Sequence, residues 1–490
     1  MNACSPGGSV ASVASAPWAR MSWSQAERGD DAREIDAVSV ADLLRNGFVY
    51  PPHAIFRGVR AMSGNAFQAS DDGTGTTSFH FRFPDSGKRS DASARETDWV
   101  GAYHRQLCDA VARAAQDMRA PWSLQSGGKD STTLAIAIAD ARPDATCITY
   151  LGGTEENEVA SARTVASTLG LRHETLVCDP GRAYDRYLEI APRMPSLTAD
   201  FALLSYVDLA FEVARHGGDG ILDGLGSDLY FGIPVNREYR LLRWLARGLR
   251  LPSMATELPW VGGQFEVCFA LGTLQMNDIE RVFPGSRFTD AEVDALFGRE
   301  IARASRARLE PFLAEIRSAA SLEEQRAISL SIAASAGGFA KGAYTAAAMP
   351  LHVAFPFCDE AFCNWVYGEV PADLMMDPAT GMNKVLVRQH IATRFDALPY
   401  VSRKGSFRFD VRGLAAQRFE QVYAYAQQSR HMLPGAVQWL ERNRARMDNK
   451  YHASKFYLLA VVLPWLCRQP EYERHAQHGR GARKAGADAA

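Results

Sequence analysis

The chain has 490 residues, of which 47% are hydrophobic and 22% are charged, and its formal net charge is −2. This balance is typical of a globular protein with a sizeable core, and the near-neutral charge argues against binding to nucleic acid or to a membrane surface. No apolar run reaches the roughly 18 residues of a membrane-spanning helix, and the small, polar amino terminus does not resemble a signal peptide. The eight cysteines have no CxxC spacing, so no zinc ribbon is predicted and a reducing cytoplasm is the expected location.

Composition divides the chain into four predicted segments: a disordered extension (1–38), a small β-containing segment with a linker (39–95), a large enzyme domain (96–468) and a disordered basic tail (469–490). In the second segment, the pattern over 40–46 predicts a helix. The alternation of Phe79, Phe81 and Phe83 predicts a strand.

From Trp99 onward, helical and strand patterns alternate along the chain. Strands are predicted at 122–125, 145–151, 172–178 and 219–223, with helices at 99–117, 132–139, 159–169 and before His216. This alternation predicts an α/β fold with a doubly wound, mostly parallel sheet. After residue 235 the strand patterns fade, and a largely helical carboxy-terminal part is predicted up to about residue 465.

The hexapeptide SGGKDS, Ser126 to Ser131, lies between a predicted strand and a predicted helix. Its two glycines allow the backbone to approach a phosphate, and the N–H groups of the turn and of the helix terminus can bind anionic oxygens. The alternative is a simple strand-to-helix turn with a cap. The Walker pattern is absent, so the predicted nucleotide site rests on this turn and on Leu151 at the end of the next strand: Ser126, Gly127, Gly128, Lys129, Asp130, Ser131 and Leu151.

A second glycine-rich loop, DGLGSD, follows the strand at 220–222. Ligands of open parallel sheets bind at the carboxyl ends of the strands, so this loop is expected to face the first. Asp223 and Gly224 are therefore added to the predicted nucleotide site. Asp130 and Asp228 are the predicted Mg²⁺ ligands. The alternative is a turn that uses glycine only for its backbone freedom.

The two loops and four further segments resemble the synthetase domain of asparagine synthetases, β-lactam synthetases and lasso-peptide macrolactam synthetases. The loop at 219–232 (DGILDGLGSDLYFG) is similar to their LSGxGxDExFGGY segment, and SGGKDS to their SGGxDS loop. The other similar segments are 54–65 to TIFxGVxxLxPG, 355–359 to PFLD, 384–388 to KxxLR and 404–407 to KxGF.

This resemblance implies an adenine-nucleotide α-hydrolase-like fold and an enzyme that uses ATP and Mg²⁺. Such an enzyme converts a carboxylate to an acyl-adenylate with release of pyrophosphate, and an amine then attacks. Lys404 matches the family lysine that faces the reacting carbonyl, and Lys384 matches a second catalytic position. Lys384 and Arg388 are four residues apart and would share a helix face. The alternative for both lysines is a solvated surface position.

The sequence also departs from the family pattern. About 40 residues precede the matching segment and Cys4 does not fit the glutaminase nucleophile, so production of ammonia from glutamine is not expected on this chain. The family ExR is His352-Val353-Ala354 here, and His352 is the candidate general base that replaces the glutamate. A packed, hydrogen-bonded histidine is the alternative.

The predicted function is therefore an amide-forming ligase whose amine is part of the substrate. The lasso-peptide macrolactam synthetases fit best, with a precursor peptide or small molecule as substrate and a leader-peptide protease as a candidate partner. A β-lactam synthetase-like or asparagine synthetase-like enzyme is the alternative. Modification of tRNA would favour basic patches and paired cysteines, which are not seen. The retained Asp130, Asp228 and Lys404 argue against a degenerate ATP-binding protein.

Overall fold

The structure is a computed structural model that describes part of the chain. The described residues are 34–57, 59, 67–71, 77–82, 98–152, 158–231, 235, 240, 263–276, 287–319, 321–397 and 409–469.

A five-stranded parallel sheet lies at the centre of the molecule. Its strands are β3 (Pro121–Leu124), β4 (Thr146–Leu151), β5 (Arg172–Val177), β6 (Gly220–Leu222) and β7 (His352–Ala354), in the order β5-β4-β3-β6-β7. All four pairings are parallel, for example Trp122 with Thr146 in β4 and with Ile221 in β6. The chain runs outward from β3 to β5 and then returns to the other side of β3, so the strand order reverses between β3 and β6. Ligands of such sheets bind in the crevice at this reversal.

The first helices alternate with these strands: α2 (Trp99–Ala114), α3 (Lys129–Ala141), α4 (Glu158–Thr168), α5 (Pro180–Ile190), α6 (Leu203–Arg215) and α7 (Asp228–Phe231), after α1 (Ala37–Asn46). The later helices are α8 (Phe265–Gln275), α9 (Asp290–Phe297), α10 (Ala302–Ala307), α11 (Glu310–Ser318), α12 (Leu322–Ala333), α13 (Ala340–Ala348), α14 (Glu360–Gly368), α15 (Ala372–Met375), α16 (Val385–Ala392), α17 (Val411–Gln428), α18 (Ala436–Asn443) and α19 (Lys450–Cys467). A π-helical segment (Ala334–Phe339) joins α12 to α13, and 3₁₀ turns span Ala191–Arg193, Pro356–Cys358 and Arg444–Arg446.

The small amino-terminal sheet packs against the helical part of the chain. It is a hairpin of β1 (Phe67–Asp71) and β2 (Thr77–Phe81), with Phe79 opposite Ala69. Phe79 is 1% exposed, and its ring centroid lies 4.2 Å from that of Phe312 in α11. Burial of such aromatic pairs is favourable, so this segment is part of the folded unit.

The structure confirms the predicted α/β class, the mostly parallel sheet and the helical carboxy-terminal part. Two strands, β1 and β7, were not predicted. Strand β7 has three residues, too few to show a period in the sequence, and it places His352 in the sheet. Helix α1 begins at Ala37, inside the segment predicted as an extension. None of the described helices has the length and hydropathy needed to cross a membrane.

Candidate active site

The first glycine turn connects β3 to α3. Ser126 Oγ lies 3.2 Å from Ser131 Oγ, and Ser131 Oγ donates to the Gly128 carbonyl at 3.1 Å. Gly127 has φ +67°, and a Cβ there would lie 3.0 Å from the Ser161 side chain. Only glycine adopts this conformation at low cost, so the sequence fixes a tight turn at the amino terminus of α3. Gly128, the N-cap of α3, provides no side-chain cap, and this end of the helix can receive an anion.

The second glycine loop follows β6 and is supported from behind by the turn at 356–358. Gly226 has φ +117°, and a Cβ there would lie 2.7 Å from Cys358 Sγ. Tyr230 Oη donates to the Phe357 carbonyl at 2.8 Å. The segment that resembles PFLD therefore shapes this loop by packing. Its aspartate, Asp359, caps α14 and binds Arg113, with 2.6 Å between Oδ1 and Nη2.

A charged cluster joins the two loops. Lys384 Nζ lies 2.6 Å and 2.7 Å from the two carboxylate oxygens of Asp130, and 2.5 Å from Asp228 Oδ1. Ser227 Oγ donates to Asp130 Oδ1 at 2.6 Å. Burial alone lowers the pKa of Lys384, but the two carboxylates outweigh burial and raise it, so the lysine is charged. The cluster is a cation held between the ends of β3 and β6.

Backbone geometry places Lys384 in this cluster. Lys384 precedes α16 with φ 60°, in the left-handed region, which costs a residue with a side chain about 1–3 kcal/mol. Its N–H donates to the Met375 carbonyl at 2.7 Å. The conformation persists because these contacts and the ion pairs outweigh its cost.

A hydrogen-bonded chain holds α16 against α3. His390 Nδ1 lies 2.6 Å from Thr133 Oγ1, and His390 Nε2 lies 2.9 Å from His104 Nδ1. His104 Nε2 contacts Asp140 at 3.0 Å. Burial, helped by the charges of His104 and Arg394, lowers the pKa of His390 to about 3, so His390 is neutral and bonds through both ring nitrogens. Thr133 lies about one turn from Asp130 along α3, and His390 lies nearly two turns from Lys384 along α16, so these hydrogen bonds help to keep Lys384 beside Asp130.

The two loops open onto a cavity of about 350 Å³. A cavity of this size is in the range of small-molecule sites. The first turn and its strand contribute Leu124, Ser126, Asp130 and Ser131 to the lining, and the second loop contributes Asp223, Gly224, Leu225, Gly226, Ser227 and Asp228. The remaining lining residues are Asp200, Phe201, Ala202, Tyr206 and Lys341. An anion-binding turn and a cationic cluster thus share one cavity with a wall of mixed polarity.

Comparison with protein families identifies a match to asparagine synthase over residues 102–424, which is more than half of the chain. The chain belongs to the asparagine synthase family. This family consists of ATP-dependent ligases that form amide bonds, so the chain is a ligase of this general kind. A comparison with curated proteins found no significant match.

The described residues of this asparagine synthase family chain fit the nucleotide and the metal that the family uses. The carboxylates of Asp130 and Asp228 both bind the Lys384 ammonium, so they lie close together, and the side chain of Asp228 is 43% exposed. Mg²⁺ is usually bound by one or two carboxylates together with the phosphates of the substrate. The turn at 126–131 and the uncapped end of α3 are the groups that would hold those phosphates.

The structure brings most of the predicted site residues together. Ser126, Asp130, Ser131, Asp223, Gly224 and Asp228 line the cavity, Gly127, Gly128 and Lys129 belong to the same turn, and Lys384 binds two of the lining carboxylates. Leu151 ends β4, where its carbonyl accepts the Cys178 N–H at 2.9 Å. Lys404 lies outside the described residues.

His352 is not brought to the cavity. It pairs with Gly220 at the amino end of β6, whereas Asp223 follows the carboxyl end of that strand. Three residues of extended chain separate these ends by about 10 Å. His352 therefore lies at the amino-terminal end of the strands, and the cavity lies at their carboxyl end. The predicted general-base role of His352 has no support in this geometry.

Several residues that line the cavity were not predicted, among them Ser227, Lys341 and Tyr206. Ser227 lies within the second loop, where the pattern points to its ionisable neighbour Asp228. Lys341 and Tyr206 lie in helices whose patterns indicate only packing. Lys341 is 7% exposed and donates to the Gly338 carbonyl at 2.9 Å, which no local pattern reveals.

Proposed function

We propose that the chain activates a carboxylate as an acyl-adenylate and joins it to an amine of the same substrate, closing a macrolactam ring in a ribosomal lasso-type peptide. The observation that carries the proposal is the Asp130–Lys384–Asp228 cluster beside the anion-binding turn, in one cavity with a partly apolar wall. Membership of the asparagine synthase family supports the ATP-dependent formation of an amide bond. Ring closure within one peptide is the step that we propose in addition.

In the first step, formation of the acyl-adenylate, different residues have different roles. The turn at 126–131 holds the phosphates, and bound Mg²⁺ supplies charge neutralisation through Asp130 and Asp228. The buried Lys384 ammonium lies where negative charge develops on the phosphates and is preorganised by its two carboxylates. Lys404 is proposed to face the reacting carbonyl, as the family pattern implies.

The second step needs an amine close to the activated carbonyl. Holding both ends of one peptide in a cavity supplies this proximity, which is worth about 7–11 kcal/mol of barrier in well-oriented systems. Phe201, Ala202 and Leu225 offer apolar surface for a peptide segment. A protease that frees the amino terminus of the precursor would supply the amine.

The test uses the purified chain with ATP, Mg²⁺ and two probes. One is a pool of synthetic peptides, each with a free amino terminus and one internal Asp or Glu, and the other is L-aspartate with ammonium. We expect pyrophosphate release with the peptides and products that have lost one water. The Asp130→Asn variant, which keeps the shape of the side chain, is the matched control and should release no pyrophosphate above background.

The alternative is a β-lactam synthetase-like or asparagine synthetase-like enzyme that acts on a small acid. Release of pyrophosphate with aspartate and none with the peptides would favour it over the lasso-type substrate. Equal, substrate-independent release by the parent and by Asp130→Asn would contradict both.

A further inference from the structure

The carboxylate of Asp223 faces the cavity with an oxygen available to a ligand. Asp223 follows β6, its N–H donates to the Ala354 carbonyl at 2.9 Å, and its side chain lines the cavity. Asp223 Oδ1 accepts the Leu225 N–H at 3.1 Å. Within the described part of the chain this is the one hydrogen bond to the carboxylate. Among the described residues the second oxygen has no protein donor, although Asp223 is only 7% exposed.

The ionisable groups around Asp223 differ in whether they can accept a proton. Burial raises its pKa to about 6, against the opposing charge of Lys341. Burial also raises the pKa values of Tyr206 and Cys358 well above their usual range, so both stay protonated. Asp200 Oδ1 accepts the Ala202 N–H at 2.9 Å and lies 3.8 Å from Lys341 Nζ. A base is most effective when its pKa is near the working pH.

We propose that Asp223 removes the proton from the attacking amine in the amide-forming step. The inference rests on the proposed function, because it assigns a residue to the second step of that reaction. The amine nitrogen forms a bond to the acyl carbon, the bond between that carbon and the AMP oxygen breaks, and AMP leaves with the electron pair. The proton on the new amide nitrogen moves to the free oxygen of Asp223, which later releases it to solvent.

Two other candidates for this proton are less suitable. Lys384 is charged and bonded to two carboxylates, so it has no lone pair to offer. His352 lies at the amino-terminal end of the strands, away from the cavity. Asp223 also occupies the position of the serine in the family pattern LSGxGxDE, so a carboxylate stands in this chain where the pattern has a hydroxyl.

The Asp223→Asn variant separates the two steps of the reaction. Asparagine keeps the acceptor for the Leu225 N–H and the shape of the side chain but cannot take a proton. With the peptide pool as probe, we expect ring closure to slow by about 10²–10⁴-fold more than ATP–pyrophosphate exchange in the same variant. Hydroxylamine, which is largely unprotonated at neutral pH, should restore product as the peptide hydroxamate.

The matched control is Asp42→Asn. Burial raises the pKa of Asp42 to about 6 as well, but Asp42 lies outside the cavity lining and binds Ser305 and Arg308. The neutral fraction of the substrate amine rises with pH through this range in every variant. We expect the profiles of the parent and of Asp42→Asn to show an additional inflection near pH 6, and this inflection to be absent from Asp223→Asn.

The outcomes separate the inference from the function on which it rests. Ring closure by Asp223→Asn at the parental rate, with the same pH profile, overturns the inference and leaves the ligase function standing. An equal fall in exchange and in ring closure also overturns it, because Asp223 would then act in nucleotide binding. A parent that shows no exchange with any peptide overturns the proposed function itself.

Discussion

Lys384→Met removes the cation that holds the two loops together and changes little else. Methionine has a similar length, so the side chain still fills the space between Asp130 and Asp228. The positive φ of residue 384 is equally unfavourable for both side chains. The difference between the two proteins therefore reports the charge of Lys384.

The loss of stability follows from the burial of the three partners. Removing one partner of a buried ion pair costs about 3–5 kcal/mol, because it leaves the other charge without compensation. The side chain of Lys384 is 5% exposed and that of Asp130 is 14% exposed, so this range applies to their pair. Asp228 is 43% exposed, and its share is at most about 1 kcal/mol. We expect the free energy of unfolding to fall by about 3–4 kcal/mol without metal.

Lys455→Met is the matched control. Lys455 Nζ lies 2.8 Å from both carboxylate oxygens of Glu292, and its side chain is 1% exposed, so the control breaks an equally buried two-oxygen ion pair. Neither residue lines the cavity. We expect a similar loss of stability from both variants. Only Lys384→Met should slow pyrophosphate release per folded molecule, by about 10²-fold or more, since it removes a preorganised charge.

The assay combines urea unfolding in the presence of EDTA with pyrophosphate release in the presence of Mg²⁺. A stability loss below about 1 kcal/mol for Lys384→Met would show that the cluster is not a buried ion pair. An equal loss of rate in Lys455→Met would show that the rate reports general destabilisation, and would refute the catalytic role of Lys384.

Three further predictions follow from the loops and from Asp223. The folded state binds the Asp223 proton with a pKa of about 6, against the usual 3.8, so the parent loses stability as the pH rises between these values. Urea unfolding should therefore find Asp223→Asn more stable than the parent by about 2–3 kcal/mol near pH 8 and equal to it below about pH 4. Gly226→Ala should lower the melting temperature and abolish pyrophosphate release, because its Cβ would lie 2.7 Å from Cys358 Sγ at a positive φ. EDTA should stop pyrophosphate release and Mg²⁺ should restore it, whereas metal-independent release would contradict a role for Asp130 and Asp228 in metal binding.

The sequence predicted the parts of the site that are local. The turn at 126–131 and the loop at 223–228 each combine glycines with a carboxylate after a buried strand, and parallel topology requires the ends of such strands to meet at one edge. These facts bring Asp130 and Asp228 together without any knowledge of tertiary contacts.

The contacts made by distant segments could not be predicted in the same way. Lys384 was predicted as a catalytic residue, but its ion pair with Asp130 joins residues 254 positions apart. Lys341 is one lysine in an Ala-rich helix, and its burial depends on how that helix packs beside α6. The position of His352 depends on β7, whose three residues are too few to show a strand period.

The transfer of oxygen-18 from the substrate to AMP tests the central claim most directly. A synthetic peptide with a free amino terminus and oxygen-18 in the carboxylate of one internal Glu would be incubated with the chain, ATP and Mg²⁺. If the carboxylate attacks the α-phosphate, one labelled oxygen stays on AMP when the amine displaces it, and the cyclised peptide retains the other. Label in inorganic phosphate with formation of ADP, or ring closure with unlabelled AMP, would contradict adenylation by this site.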